Sequence, residues 1–222
     1  MSNVESKPWN WKALEKNKEK IWLDPCIESY YFVNRWKSQN KENFLDLGCG
    51  LGRHTIQFAK AGFKTSAFDL SEEAVKRTAE YAKKENLSID TAIGDMLSLP
   101  YADESMDCIF CRNVISHTDT KGMLEIADEI KRILKKDGEC YLTLGSKDSW
   151  GFKQDWPVVD ENTKIRIEDG PENGIPHFFA DYDLIKKIFK DFSIERIFQV
   201  ENFHEKGDGV TGSYHYHVLI RK

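Results

Sequence analysis

The sequence has no apolar run approaching the roughly 20 residues needed to cross a bilayer, so no membrane partner is expected. It has no basic excess either: 32 Lys and Arg stand against 37 Asp and Glu, for a formal charge of −5. Chains that live on nucleic-acid phosphates carry the opposite sign, at least locally, so no nucleic-acid partner is expected. Five cysteines are too few, and odd in number, for a disulfide scaffold. The opening residues, MSNVESKPWNWKALEKNKEK, contain no apolar stretch of the secretory kind. A reducing, cytoplasmic setting is the expectation. Internal repeats and low-complexity stretches are absent. Aromatic side chains are plentiful: 13 Phe, 8 Tyr and 6 Trp in 222 residues that are 40% hydrophobic. That supply can bury a real core and excludes a disordered chain.

Near the start, Trp11, Leu14, Lys18, Ile21 and Trp22 recur at a helical period that Pro25 ends. A second short helix is predicted over 27–37, presenting Tyr30, Tyr31, Val33 and Trp36. Strands and helices then alternate. Strands are predicted at 44–47, 64–68, 89–93, 106–111 and 140–144, with helices at 53–61, 71–86 and 122–134. Ser71 reads as an N-cap, with Glu72 and Glu73 in the first turn. This rhythm describes an α/β chain with a mostly parallel sheet and helices on both faces. Residues 146–180 break it with Trp150, Phe152, Trp156, Phe178 and Phe179 but little periodicity, as functional loops do. A helix at 182–189 and strands at 194–200 and 214–220 follow. With no helix between them, those last strands are expected to pair as an antiparallel hairpin.

The most informative segment is Phe44-Leu-Asp-Leu-Gly-Cys-Gly-Leu-Gly-Arg-His54. Glycines at 48, 50 and 52 remove Cβ atoms where a strand turns tightly into a helix and backbone approaches a ligand. A dinucleotide site wants G-x-G-x-x-G. Here the spacing is G-x-G-x-G, Arg53 stands where the third glycine belongs, and Asp46 would face a pyrophosphate. Both departures count against a nicotinamide cofactor.

Asp46-Leu-Gly48-Cys49-Gly50-Leu-Gly52 resembles the first motif of the class I S-adenosylmethionine-dependent methyltransferases, D-x-G-x-G-x-G, and the resemblance runs from about Phe44 to Leu144. Asp69 ends the second strand 21 residues beyond Gly48; Gly94-Asp95-Met96 follows the third; Asp107 opens the fourth; Leu134-Lys-Lys-Asp-Gly138 precedes the fifth. The resemblance implies a Rossmann-like class I methyltransferase fold with seven strands. It implies S-adenosylmethionine as cofactor. Asp46 and nearby carbonyls would hold its amino group and glycine-loop amides its carboxylate, with Cys49 packed beneath. Asp69 would take the ribose hydroxyls, Asp95 the adenine amine, and Leu70 with Met96 or Leu97 the ring faces. Arg53, Arg112 and Asn113 complete the cofactor set. Residues 1–40 are read as an N-terminal helical lid segment, 41–222 as the methyltransferase domain and 146–180 as a substrate-side insertion. One ring among Trp9, Trp11, Trp22, Tyr30 and Tyr31 is expected to touch the ligand, where cation–π contact with a sulfonium is favourable.

The methyl acceptor leaves a fainter trace, because an in-line displacement demands alignment and dryness more than any one side chain. Cys111-Arg-Asn-Val-Ile-Ser-His117 after strand four lacks both the Asn-Pro-Pro-aromatic element of base-amine enzymes and the Pro-Cys of cytosine-C5 enzymes. A small-molecule acceptor is therefore expected, on a monomer or homodimer. His117, at the carboxyl edge of strand four, and His177, in Ile-Pro-His-Phe-Phe179, are the candidate catalytic residues. Glu201-Asn-Phe-His204 and the chain end are similar to the tellurite-resistance group of small-molecule methyltransferases. His215 and His217 share a strand face but lack a third ligand in sequence, and no metal is expected. Cys108-x-x-Cys111 lies in a strand, so its thiols point to opposite faces and read as core. Two alternatives remain: an NAD(P)-dependent oxidoreductase, separable by cofactor titration, and a non-catalytic S-adenosylmethionine-binding regulator, separable by observed methyl transfer.

Overall fold

The computed structural model describes residues 4–13, 22–206 and 209–222, without the side chains of 13, 203–206 and 209–211. Much of the first expected helix, and the side chain of His204, lie outside the described residues. The elements run α1 (Ile27–Ser38), β1 (Asn43–Leu47), α2 (Arg53–Lys60), β2 (Lys64–Asp69), α3 (Glu72–Lys84), β3 (Asp90–Ile93), β4 (Met106–Cys111), α4 (Thr120–Ile133), β5 (Leu134–Ser146), β6 (Val158–Asp160), β7 (Thr163–Ile165), β8 (Pro176–Ala180), α5 (Tyr182–Ile188), β9 (Ser193–Lys206) and β10 (Gly209–Arg221).

Side-chain caps set several helix starts. Ser71 accepts from the Ala74 N–H at 3.3 Å, Asp119 from Gly122 at 2.7 Å and Asp181 from Leu184 at 2.9 Å. Glu72 and Glu73 open α3 while Lys83 and Lys84 close it, in keeping with the helix dipole. Helix α2 begins at Gly52 without a side-chain cap of its own.

β1 to β5 form a parallel body in the order β3-β2-β1-β4-β5. β10 lies antiparallel to β5 and β9 antiparallel to β10, so the chain ends in the expected hairpin. Seven strands are thus as expected, but the sheet holds ten. The other three arise inside the 146–180 insertion, which is more ordered than its weak periodicity implied. β6, β7 and β8 are three to five residues each, too short to show alternation. β8 pairs with Gly145 and Ser146, and β10 also pairs with Gly145. A strand has two edges, so β8 must take the side of β5 that β4 leaves vacant after Cys111. The insertion therefore stands directly over the carboxyl end of β4.

The parallel sheet buries both faces, as parallel sheets do. On one, Leu45, Leu47, Ile109, Cys111 and Leu142 pack with Met123, Ile126 and Ile130 of α4. On the other, Phe44, Cys108, Phe110 and Tyr141 pack with Phe32 and Trp36 of α1 and Phe58 of α2. Cys108 and Cys111 thus sit on opposite faces. Helix α1 is core rather than lid: Arg35 Nη2 meets the buried Glu139 carboxylate at 2.7 Å, and Trp36 Nε1 donates to it at 2.9 Å. Burial would raise the Glu139 pKa, but the Arg35 and Trp36 hydrogen bonds hold it below the usual carboxylate range.

Candidate active site

The carboxyl ends of β1 to β4 open into a cavity of about 430 Å3, at the reversal of strand order between β1 and β4 where such sheets bind ligands. Gly48 and Gly50 form its floor with φ of 81° and 52°. A Cβ at Gly48 would lie 2.5 Å from both Val114 methyls, and one at Gly50 would lie 2.8 Å from the Trp11 ring. Side chains are excluded there on both conformational and steric grounds.

At the mouth of β2, Asp69 is wedged against this loop. Its Oδ2 accepts from the Gly50 N–H at 2.9 Å and its Oδ1 from the Ser71 N–H at 2.8 Å. Burial raises its pKa, partly offset by those bonds. Leu70, Asp95 and Met96 line the wall beyond, and Asp95 Oδ1 accepts from the Leu97 N–H at 3.0 Å. Cys49 lines the floor with its thiol pushed up by burial, which makes it inert. Arg53, Arg112 and Asn113 also line the cavity. Asn113 takes a left-handed φ of 58° while its N–H donates to Thr143 Oγ1 at 2.8 Å.

Three expected cofactor contacts are placed elsewhere. Asp46 does not line the cavity; its buried Oδ2 accepts from the Thr55 N–H at 2.8 Å and from Thr55 Oγ1 at 2.6 Å. It thereby supplies from β1 the cap that α2 lacks, and burial pushes its pKa up to about 6. Gly52 and Leu97 do not line the cavity either, whereas Met96 does. The amides of Gly48 and Cys49 already donate to the Phe68 carbonyl at 2.7 and 2.9 Å, so the loop has fewer N–H groups for a carboxylate than expected. Cations at this end come from Arg53 and Arg112, whereas Lys7 Nζ lies by Gly174 at the opposite end.

The N-terminal rings close one side. Trp9, Trp11 and Trp22 cluster with centroids 4.3 to 5.9 Å apart, line the cavity, and meet Arg53, which lies 5.2 Å from the Trp22 centroid. Tyr30 and Tyr31 are exposed on α1 and take no part.

At the far end the fold brings His117 and His177 together from 60 residues apart, ring centroids 5.0 Å from each other. The Phe178 N–H donates to the Ser116 carbonyl at 2.8 Å, tying β8 to the turn after β4. Between the rings stands Glu172, its Oε1 3.9 Å from His117 Nε2 and its Oε2 4.0 Å from His177 Nε2, with Arg166 donating to Oε2. Burial keeps both imidazoles neutral, lowering His117 and driving His177 to about 3. Burial also opposes ionisation of Glu172, but the facing rings and Arg166 outweigh it and hold the carboxyl below its ordinary range. Trp150, Trp156 and Phe179 wall this compartment. Glu172 and Arg166 escaped sequence reasoning, since no local spacing links them to His117. His217 leaves the site altogether: its Nδ1 lies 2.6 Å from the Tyr141 hydroxyl, while His215 lines the cavity.

Residues 44–138 match the family described as a methyltransferase domain. The fold that carries this match is the Rossmann-like class I methyltransferase fold. A probable S-adenosyl-L-methionine-dependent methyltransferase TehB of Haemophilus influenzae is 38% identical over 151 residues, 59% of this chain and 51% of the relative. Norajmaline N-methyltransferase of Rauvolfia serpentina is 33% identical over 99 residues, 42% of this chain and 34% of the relative. The chain thus spans about half the length, or less, of these curated relatives. A crystal structure of a SAM-dependent methyltransferase from Methanosarcina mazei superposes with a TM-score of 0.71 at 18% identity, covering 90% of this chain and 99% of that one. The Haemophilus influenzae and Methanosarcina mazei proteins are named not for a nicotinamide cofactor but for S-adenosylmethionine. The cradle suits that ligand: the floor admits no Cβ, a carboxylate stands at the end of β2, and the tryptophans and arginines flank the loop.

Proposed function

We propose that this chain transfers a methyl group from S-adenosylmethionine to a small-molecule nucleophile held between His117, His177, Trp156 and Phe179. One observation carries the reading: a single cavity runs from the glycine loop to the paired histidines. Its volume falls in the range of small-ligand sites. The relative named for N-methylation of norajmaline supports an acceptor of this size. No helix among the described residues is long and apolar enough to cross a membrane.

When bound, S-adenosylmethionine supplies an electrophilic methyl carbon on sulfur. The protein's part is to hold and to exclude water. Asp69 would take the ribose, Asp95 and Met96 the adenine, and Arg53 or Arg112 the carboxylate. Trp9, Trp11 and Trp22 would keep that end dry. His117 and His177 would orient the acceptor. A ring as weakly basic as His177 accepts a hydrogen bond readily at neutral pH but retains a proton poorly. Orientation and desolvation therefore carry more of the rate than proton removal does.

The decisive experiment incubates the protein with a metabolite pool and donor labelled on the methyl group. A labelled small molecule is the expected product. Tight cofactor binding with no labelled product from any pool would favour the non-catalytic regulator instead. Within that assay, His117→Ala should lower kcat at least tenfold while the cofactor Kd, by calorimetry, stays within about twofold. Wild-type turnover would remove His117 from the site.

A further inference from the structure

The three groups at the acceptor end are more closely organised than acceptor orientation requires. One ligand atom each from His117, Glu172 and His177 lies within 4.8 Å of the others. The separations of 3.9 and 4.0 Å are too long for hydrogen bonds between them. His177 Nε2 is buried and has no hydrogen-bond partner. Such an orphaned acceptor is costly unless something fills the gap.

Each of the three is also fixed from outside. Ser116 is bonded to β8 through Phe178, the Gly174 N–H donates to the Arg166 carbonyl at 2.7 Å, and the Ile175 N–H donates to the Glu172 carbonyl at 3.1 Å. Arg166 donates to Glu172 Oε2, the oxygen that also faces His177, and leaves Oε1 towards His117; ligating carboxylates are commonly hydrogen-bonded in this way.

We propose that His117, His177 and Glu172 form a binding site for one divalent transition-metal ion of the zinc class, with its open coordination positions facing the acceptor compartment. Two imidazoles and one carboxylate are the donor set that leaves such a cation room for a further ligand. Bond lengths of about 2.0–2.2 Å around a shared ion would draw the three donor atoms in by up to about 1 Å. The turn at Glu172 and the two histidine side chains can absorb that movement. The Arg166 charge opposes the ion and moderates its affinity. The acceptor chemistry that fits is a heteroatom ligand, an oxygen, nitrogen or sulfur that the ion holds next to the cofactor end. That last step rests on the methyltransferase reading above, whereas the metal site does not.

The test uses the full chain stripped with a chelator, titrated with Zn2+ by calorimetry and with Co2+ by visible absorption. One equivalent should bind, with Co2+ bands of a four- or five-coordinate site that shift on exposure to a thiol or hydroxamate probe. His177→Ala and Glu172→Gln should each weaken Zn2+ at least about 100-fold, more than the outer-partner losses typical of metal sites. Both variants should bind S-adenosylmethionine as the wild type does, which also shows that they fold. Absence of stoichiometric binding, or binding unchanged in both variants, overturns the metal site and leaves the methyltransferase reading standing. Metal binding without any cofactor binding would do the reverse.

Discussion

The two ends of the cavity are built in different ways. The cofactor end is local: Gly48 to Asp69 lie within one βαβ unit, and their contacts are made largely by backbone. The acceptor end is assembled from the turn after β4, the loop before β8 and β8 itself, and its contacts are made by side chains. A backbone site tolerates no added atom, whereas a side-chain site can change its chemistry without disturbing the sheet. The same split explains why the family match covers residues 44–138 and stops before Glu172 and His177.

Breaking the local end should give the largest effect. Gly48→Ala places a Cβ 2.5 Å from the Val114 methyls at a φ of 81°, combining a left-handed penalty of about 1–2 kcal/mol with overpacking of about 1–3 kcal/mol. Cofactor affinity should fall about 100-fold or more by calorimetry, while metal binding at the other end persists. Val114→Ala in the same chain should restore part of the loss. Asp69→Ala should weaken the cofactor at least tenfold, since hydrogen bonds to a charged group are worth about 1.5–3 kcal/mol. Unchanged binding would show that Asp69 only braces the glycine loop through the Gly50 N–H.

The smallest effect concerns the pH response of the acceptor end. Burial keeps both histidines neutral, so kcat/KM should lack an inflection near pH 6.5 attributable to them, with His177 titrating only towards pH 3. Because the folded pKa lies below the unfolded one, these rings lower stability progressively as the pH drops below about 6.5. Imidazole resonances followed by NMR from pH 8 to 5 should stay flat for His177 and show any His117 midpoint below 6.5. A midpoint near 6.5 would place them in contact with bulk water.

Much of the sheet was legible because its signals are short in range. Strand–helix alternation, the Ser71 cap and the glycine spacing act within a few residues, and burial of both faces makes the central strands β1, β4 and β5 apolar enough to recognise. The insertion was less legible. Its strands are too brief for alternation to register, and β8 exists because Gly145 and Ser146 offer an open edge. Asp46 misled for a related reason: its position in the motif was right, but its carboxylate completes α2 rather than facing the ligand.

The amino-acid order by itself determined the α/β class, the Cβ-free bend after β1 and the acid at the end of β2, since each follows from local backbone sterics and hydrophobic period. Only tertiary structure decided which histidines meet, that Glu172 and Arg166 join them, and that α1 is core. Those outcomes depend on long-range strand pairing and on burial that withdraws water from the imidazoles, and neither has a periodicity to read.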